Sequence, residues 1–198
     1  MRKVIIPVLI LAIAGFAAYH FLWKKDPETP ENKPKPLPVA ENTGVFNQSF
    51  AKMLNSYYAL RDALTDGDLS KASTAGSELV TTSDSLKTSE IQGDSTGVIK
   101  ETAKSYAQTI NGSAKAVVLE KDLDGKRKEF STISEAIFNL VRTVKYSGEK
   151  VYWLYCPMAF NNKGANWMSE DTSVKNPYMG KDMTSCGSVQ DSLDYSKK

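Results

Sequence analysis

The longest proline-free stretch sets the architecture. No proline interrupts Val39 to Tyr155, and within that stretch apolar residues recur with helical spacing. Phe46, Phe50, Met53, Leu54, Tyr57, Leu60 and Leu64 line one face of a long amphipathic helix. Asp66-Gly67-Asp68 breaks it, and Asp68 is placed to cap the next helix. The second stripe is weaker: Leu69, Ala72, Gly76, Leu79 and Leu86, whose small members permit close approach to a neighbour. Glu90 to Ser95 reads as a polar turn. Ile99, Ala103, Tyr106, Ile110, Ala114, Val117 and Val118 form a third stripe, with Gly112 inside it costing about 1 kcal/mol relative to alanine. Asp122-Leu123-Asp124-Gly125 interrupts again, and Phe130, Ile133, Ile137, Leu140, Val141 and Val144 form the fourth. The expected helices are Phe46–Thr65, Leu69–Leu86, Thr96–Leu119 and Lys126–Tyr146. Short turns between them imply an up-down four-helix bundle in a mainly α fold, with the stripes as its core.

The ends have other jobs. Val4 to Trp23 is 20 residues without Asp, Glu, Lys or Arg, bracketed by Arg2-Lys3 and Lys24-Lys25. As a helix it would span the roughly 30 Å hydrocarbon core of a bilayer. Tyr19 and Trp23 sit where an interfacial aromatic belt is expected. Ala12-Ile13-Ala14 offers a rival reading as a signal-peptide cleavage site, but the apolar run continues nine residues past Ala14, which favours an uncleaved transmembrane anchor. No cysteine lies nearby for a lipid anchor. Residues 26–42 hold five of the eight prolines with alternating charge, an extended linker. The expected organisation is therefore an anchor at 1–25, a linker at 26–42, the bundle at 43–148, a Cys/Met-rich motif at 149–189 and a flexible end at 190–198.

Charge and composition exclude several functions. Four of the 25 basic residues precede the first acid, leaving 21 basic against 23 acidic side chains after Lys25. Without a basic excess the soluble part is no nucleic-acid binder. His20 is the only histidine, so the soluble part has no imidazole base or ligand.

What remains is sulfur. Val151 to Cys156 is rich in β-formers, Asn161-Asn162-Lys163-Gly164 is a turn signal, and Ala165 to Met168 reads as a returning strand of a short hairpin. Asn176-Pro177-Tyr178, Gly180 and Gly187 read as ordered loop. Four of the six methionines fall between Met158 and Met183, and Cys156 and Cys186 bracket them. Thiols and thioethers without histidine select Cu(I), or Ag(I), over hard ions. Cys156 and Met158 are two apart, sharing a face of a strand, and Met183 and Cys186 are three apart, sharing a helical turn. These four are the expected primary ligands, with Met168 and Met179 as further candidates. An alternative stands beside this one. The two cysteines form a disulfide, the methionines pack, and the chain is a helical interaction module without metal. A thiol enzyme is disfavoured, because no base accompanies either cysteine, so the chain is expected not to be an enzyme.

The runs Tyr155-Cys156-Pro157-Met158-Ala159, Gly164-Ala165-x-Trp167-x-Ser169 and Asn176-Pro177-Tyr178-x-Gly180-x-x-Met183-x-x-Cys186-Gly187 resemble the C-terminal signature of a bacterial family, domain of unknown function 3347. Arg127 to Val141 looks like that family's last helix, and the resemblance covers about Phe46 to Val189. It implies an exported or envelope protein of heavy-metal handling, since such domains are also found joined to the adaptor proteins of copper and silver efflux systems. With the apolar run at Val4–Trp23 as an anchor after a short N-terminal tail, the chain is expected to be an inner-membrane, single-pass protein with its soluble domain in the periplasm, or an exported one if that segment is cleaved. The chain departs from the family pattern at Met179 (Phe expected), Met168 (Leu expected) and Thr184 (Leu expected), and lacks the histidine expected in the third helix.

Overall fold

Four helices follow one another, and after the fourth the chain turns into a small sheet. The first and last connections between helices are three residues each. The middle one is longer than the expected short turn, running over residues 85–97 with a 3-10 turn at Thr88–Glu90. This computed structural model describes Tyr19 and residues 42–196. The helices are α1 Gly44–Thr65, α2 Leu69–Asp84, α3 Val98–Leu119 and α4 Leu123–Val144. The strands are β1 Val151–Cys156, β2 Ala165–Ser169 and β3 Ser188–Leu193. All belong to one compact unit. The expected anchor at Val4–Trp23 (apart from Tyr19) and the linker up to residue 41 lie outside the described residues. Among the described residues no helix is long and apolar enough to cross a membrane.

Side-chain caps fix where α1, α2 and α4 begin. The Thr43 hydroxyl accepts from Phe46 N, Asp68 from Lys71 N and Asp122 from Gly125 N. Asp122 therefore starts α4 three residues before the expected Lys126, and Leu123-Asp124-Gly125 are its first turn rather than an interruption. The linker also ends earlier than expected. Asn42 bridges to Ile91 and donates from Nδ2 to Val144 O at 2.8 Å, so it belongs to the folded unit.

Every residue of the first and fourth stripes is buried, each large side chain stabilising the bundle by about 2 kcal/mol. In α2, Gly76 meets α3 closely: a Cβ there would lie 3.1 Å from Val117 Cγ1. Leu69 departs from the expectation, because it starts α2 on the exposed side.

Sequential helices pack side by side, while α1 and α4 are in looser contact and meet through large side chains. Tyr57 stacks on Phe130 at 4.9 Å. The C-terminal segment docks along this seam. Phe138 of α4 stacks on Trp153 of β1 at 4.1 Å, and Met168 N donates to Tyr57 Oη at 2.9 Å. Arg61 of α1, wholly buried, donates to both carboxylate oxygens of Glu170. Arg127 of α4 donates from Nε to Pro177 O at 2.8 Å.

The sheet is antiparallel in the order β2-β1-β3. The expected hairpin is β1 and β2. The connecting turn carries Phe160, Asn161 and Asn162 at φ 51, 58 and 65, followed by Gly164 at φ 79. Residues 190–193, read from sequence as part of a flexible end, instead belong to β3. The β2 edge is closed by two tyrosines: Tyr57 Oη takes Met168 N, and Tyr178 Oη donates to Asn166 O at 2.6 Å.

Candidate functional site

The two cysteines meet because of strand register. Tyr155 of β1 pairs with Ser188 of β3, so Cys156 at the end of β1 lies beside the residues that lead into β3. Cys156 Sγ and Cys186 Sγ are 2.7 Å apart, with the thiols in contact. Cys156 is buried, whereas Cys186 is only half-buried. Contact with Cys156 pushes the Cys186 thiol up, burial adds to this, and the Met158 backbone N–H opposes it.

Asn176 organises the loop that carries Cys186. Its side chain is buried; Nδ2 donates to Cys186 O at 2.6 Å, and Oδ1 accepts from Tyr178 N at 2.7 Å. Its backbone N donates to Thr184 O at 2.8 Å. Tyr178 then packs between Phe130, Phe160 and Trp167, tying the loop to α4 and the sheet. Gly187 follows Cys186 at φ 142, where a Cβ would stand 2.7 Å from Trp167 Cη2 and 3.0 Å from Tyr155 O. Only glycine lets the chain pass that close to the indole.

The methionines divide. Met158 and Met183 are 43% and 40% exposed, and each lies in a turn beside a cysteine. Cys186 N donates to Met183 O at 3.2 Å, and the Met158 N–H reaches Cys186 Sγ. Met168 is elsewhere. It pairs with Trp153, one residue out of phase with Cys156 and its partner Ala165, so it faces the opposite side of the sheet and is buried there. Met179 is half-buried and packs against the core. The expected set of six thus separates into two touching thiols, two exposed thioethers on the adjoining turns and two packing methionines.

The donor chemistry suits a soft monovalent ion, and the spacing constrains how it could be held. With metal–sulfur bonds of about 2.3 Å, two thiolates on one ion stand roughly 4 Å apart, so binding requires the thiols to spread. Among the described residues no group of three or more His, Cys, Asp or Glu gathers at ligand distance. Sequence reasoning named Asn176 and Gly187 only as parts of a loop motif; their roles as clamp and close-approach residue come from the fold.

A helical bundle with a docked, cysteine-bearing sheet is the class of structure this chain adopts. Residues 53–149 match the model of the family described as "Protein of unknown function (DUF3347)", and this stretch is a domain of that family. The matched residues run from within α1 to just past α4. The tail motif that carried the resemblance lies beyond them. No curated protein and no solved structure matches the chain.

Proposed function

We propose that this chain is an envelope protein that binds a soft ion, Cu(I) or Ag(I), through the thiolates of Cys156 and Cys186 with Met158 and Met183 as thioether partners. In this reading Val4–Trp23 anchors it in the bacterial inner membrane, the soluble unit works in the periplasm, and the recipient of the ion is a heavy-metal efflux adaptor. One observation carries the proposal. Of the five methionines in the described residues, the two beside the paired cysteines are the two left exposed, and Met53 and Met168 are buried. Methionine used for packing is buried; exposed thioethers flanking a thiol pair are better placed to bind metal than to pack.

The reading predicts that reduced protein, handled without oxygen, competes with a Cu(I) chelator for one ion per chain. Cys156→Ser with Cys186→Ser abolishes this, and Met158→Leu with Met183→Leu weakens it. Retention of wild-type affinity by the double serine variant overturns the proposal.

The 2.7 Å contact favours a second reading, in which the cysteines close as a disulfide that staples the tail and the chain serves as an interaction module without metal. Oxidised protein would then gain about 2–4 kcal/mol over the double serine variant, and reduced protein would bind no copper.

A further inference from the structure

The two sulfurs differ in access. Cys156 ends the central strand of the sheet and is fully buried. Cys186 sits half-buried on the loop before β3, between exposed Met183 and exposed Val189, and its sulfur meets the Met158 backbone. We infer that Cys156 and Cys186 are a reversible dithiol–disulfide couple entered only at Cys186, and that a dithiol reductant thereby sets whether the site can take metal. The metal-gating half rests on the function proposed above; the exchange half does not.

The chemistry balances as thiol–disulfide exchange. A thiolate of the reductant attacks Cys186 Sγ in line with the S–S bond. A reductant–Cys186 disulfide forms, the protein S–S bond breaks, and its electron pair leaves on Cys156 Sγ, which takes a proton. The reductant's second thiolate then attacks its own sulfur in the mixed disulfide and expels Cys186 as thiolate, which takes the second proton. Two electrons and two protons reach the protein, and the reductant ends as a disulfide. The reverse sequence, with a dithiol protein's disulfide as oxidant, closes the pair. Attack at Cys156 is blocked because its side chain is fully buried. The closed pair has no thiolate to offer an ion; the open pair has two that can spread.

Four measurements on the full chain test this. Incubation with glutathione disulfide should lower the intact mass by two hydrogens, as Cys156 expels the glutathione first taken up by Cys186, and failure to lose two hydrogens overturns the couple. Reduced wild-type protein treated with substoichiometric N-ethylmaleimide should carry the label on Cys186, at least about tenfold over Cys156. Equal labelling, or preference for Cys156, overturns the one-sided entry. Because serine at buried Cys156 can disturb folding, this wild-type labelling stands beside the variants: Cys156→Ser should form a mixed disulfide with glutathione disulfide faster than Cys186→Ser, and the opposite order overturns the proposal. Finally, Ag(I) should bind reduced but not oxidised protein in native mass spectra. Equal binding by both forms overturns the gate. Binding by neither overturns the metal reading and the gate together, while the labelling ratio still decides the exchange half.

Discussion

The side-chain amide of Asn176 donates to the backbone carbonyl of Cys186 at 2.6 Å, from a position sealed from solvent. The same amide group receives Tyr178 N, so one residue fixes both the cysteine loop and the tyrosine that docks it. Replacing Asn176 with Ala leaves a buried N–H and a carbonyl without partners, which costs about 2 kcal/mol. Urea unfolding should report that loss, and Cys186 should alkylate faster in native buffer. Unchanged stability and unchanged alkylation would refute the clamp.

Gly187→Ala tests the neighbouring contact. The new methyl meets the Trp167 ring and the Tyr155 carbonyl at a backbone angle that side chains avoid. The loop must lift, so the expected result is a lower melting temperature, a shift in tryptophan emission and a slower closure of the Cys156–Cys186 pair. A variant that forms the disulfide at the wild-type rate would place Gly187 away from the indole.

The four helices were legible because each presents an apolar stripe of period 3.6, and burial follows those stripes almost residue for residue in α1 and α4. The third strand was not legible. Ser188–Leu193 has no alternation to read, since nearly all of it is exposed and it holds its place by pairing with β1. That missed strand is also what brings the cysteines together, so the sequence left metal and disulfide as open alternatives. Burial of Arg61, Lys126 and Arg127 was equally hidden. Each finds its partners across the fold: Glu170 for Arg61, the Val117 carbonyl and Ser73 for Lys126, the Pro177 and Leu64 carbonyls for Arg127. Met168 looked like a ligand by type; only strand register shows it to be on the other face.

The proposed anchor has its own test. Mature protein extracted from membranes should retain Val4–Trp23, as its intact mass will show. A mature N-terminus at Gly15 would make the segment a signal peptide and the protein an exported one.

The Arg61–Glu170 pair makes tail docking sensitive to acid. Hydrogen bonds from the buried Arg61 guanidinium hold the Glu170 carboxyl down at about 2, against an ordinary value near 4.5. A carboxyl whose folded value is depressed contributes stability above its unfolded value and loses it as pH falls toward the folded one. The contribution is therefore complete above about pH 5 and disappears between there and about pH 2. Because Glu170 is partly solvent-exposed, screening keeps the size of the effect modest. Wild-type protein should lose more unfolding free energy over that window than Glu170→Gln, whose side chain does not titrate, and the two curves should converge near pH 2. Near-ultraviolet circular dichroism should follow the docking itself, since Trp153 and Trp167 lie in the docked sheet. Parallel curves for the two proteins between pH 5 and 2 would show that the ion pair does not hold the tail to α1.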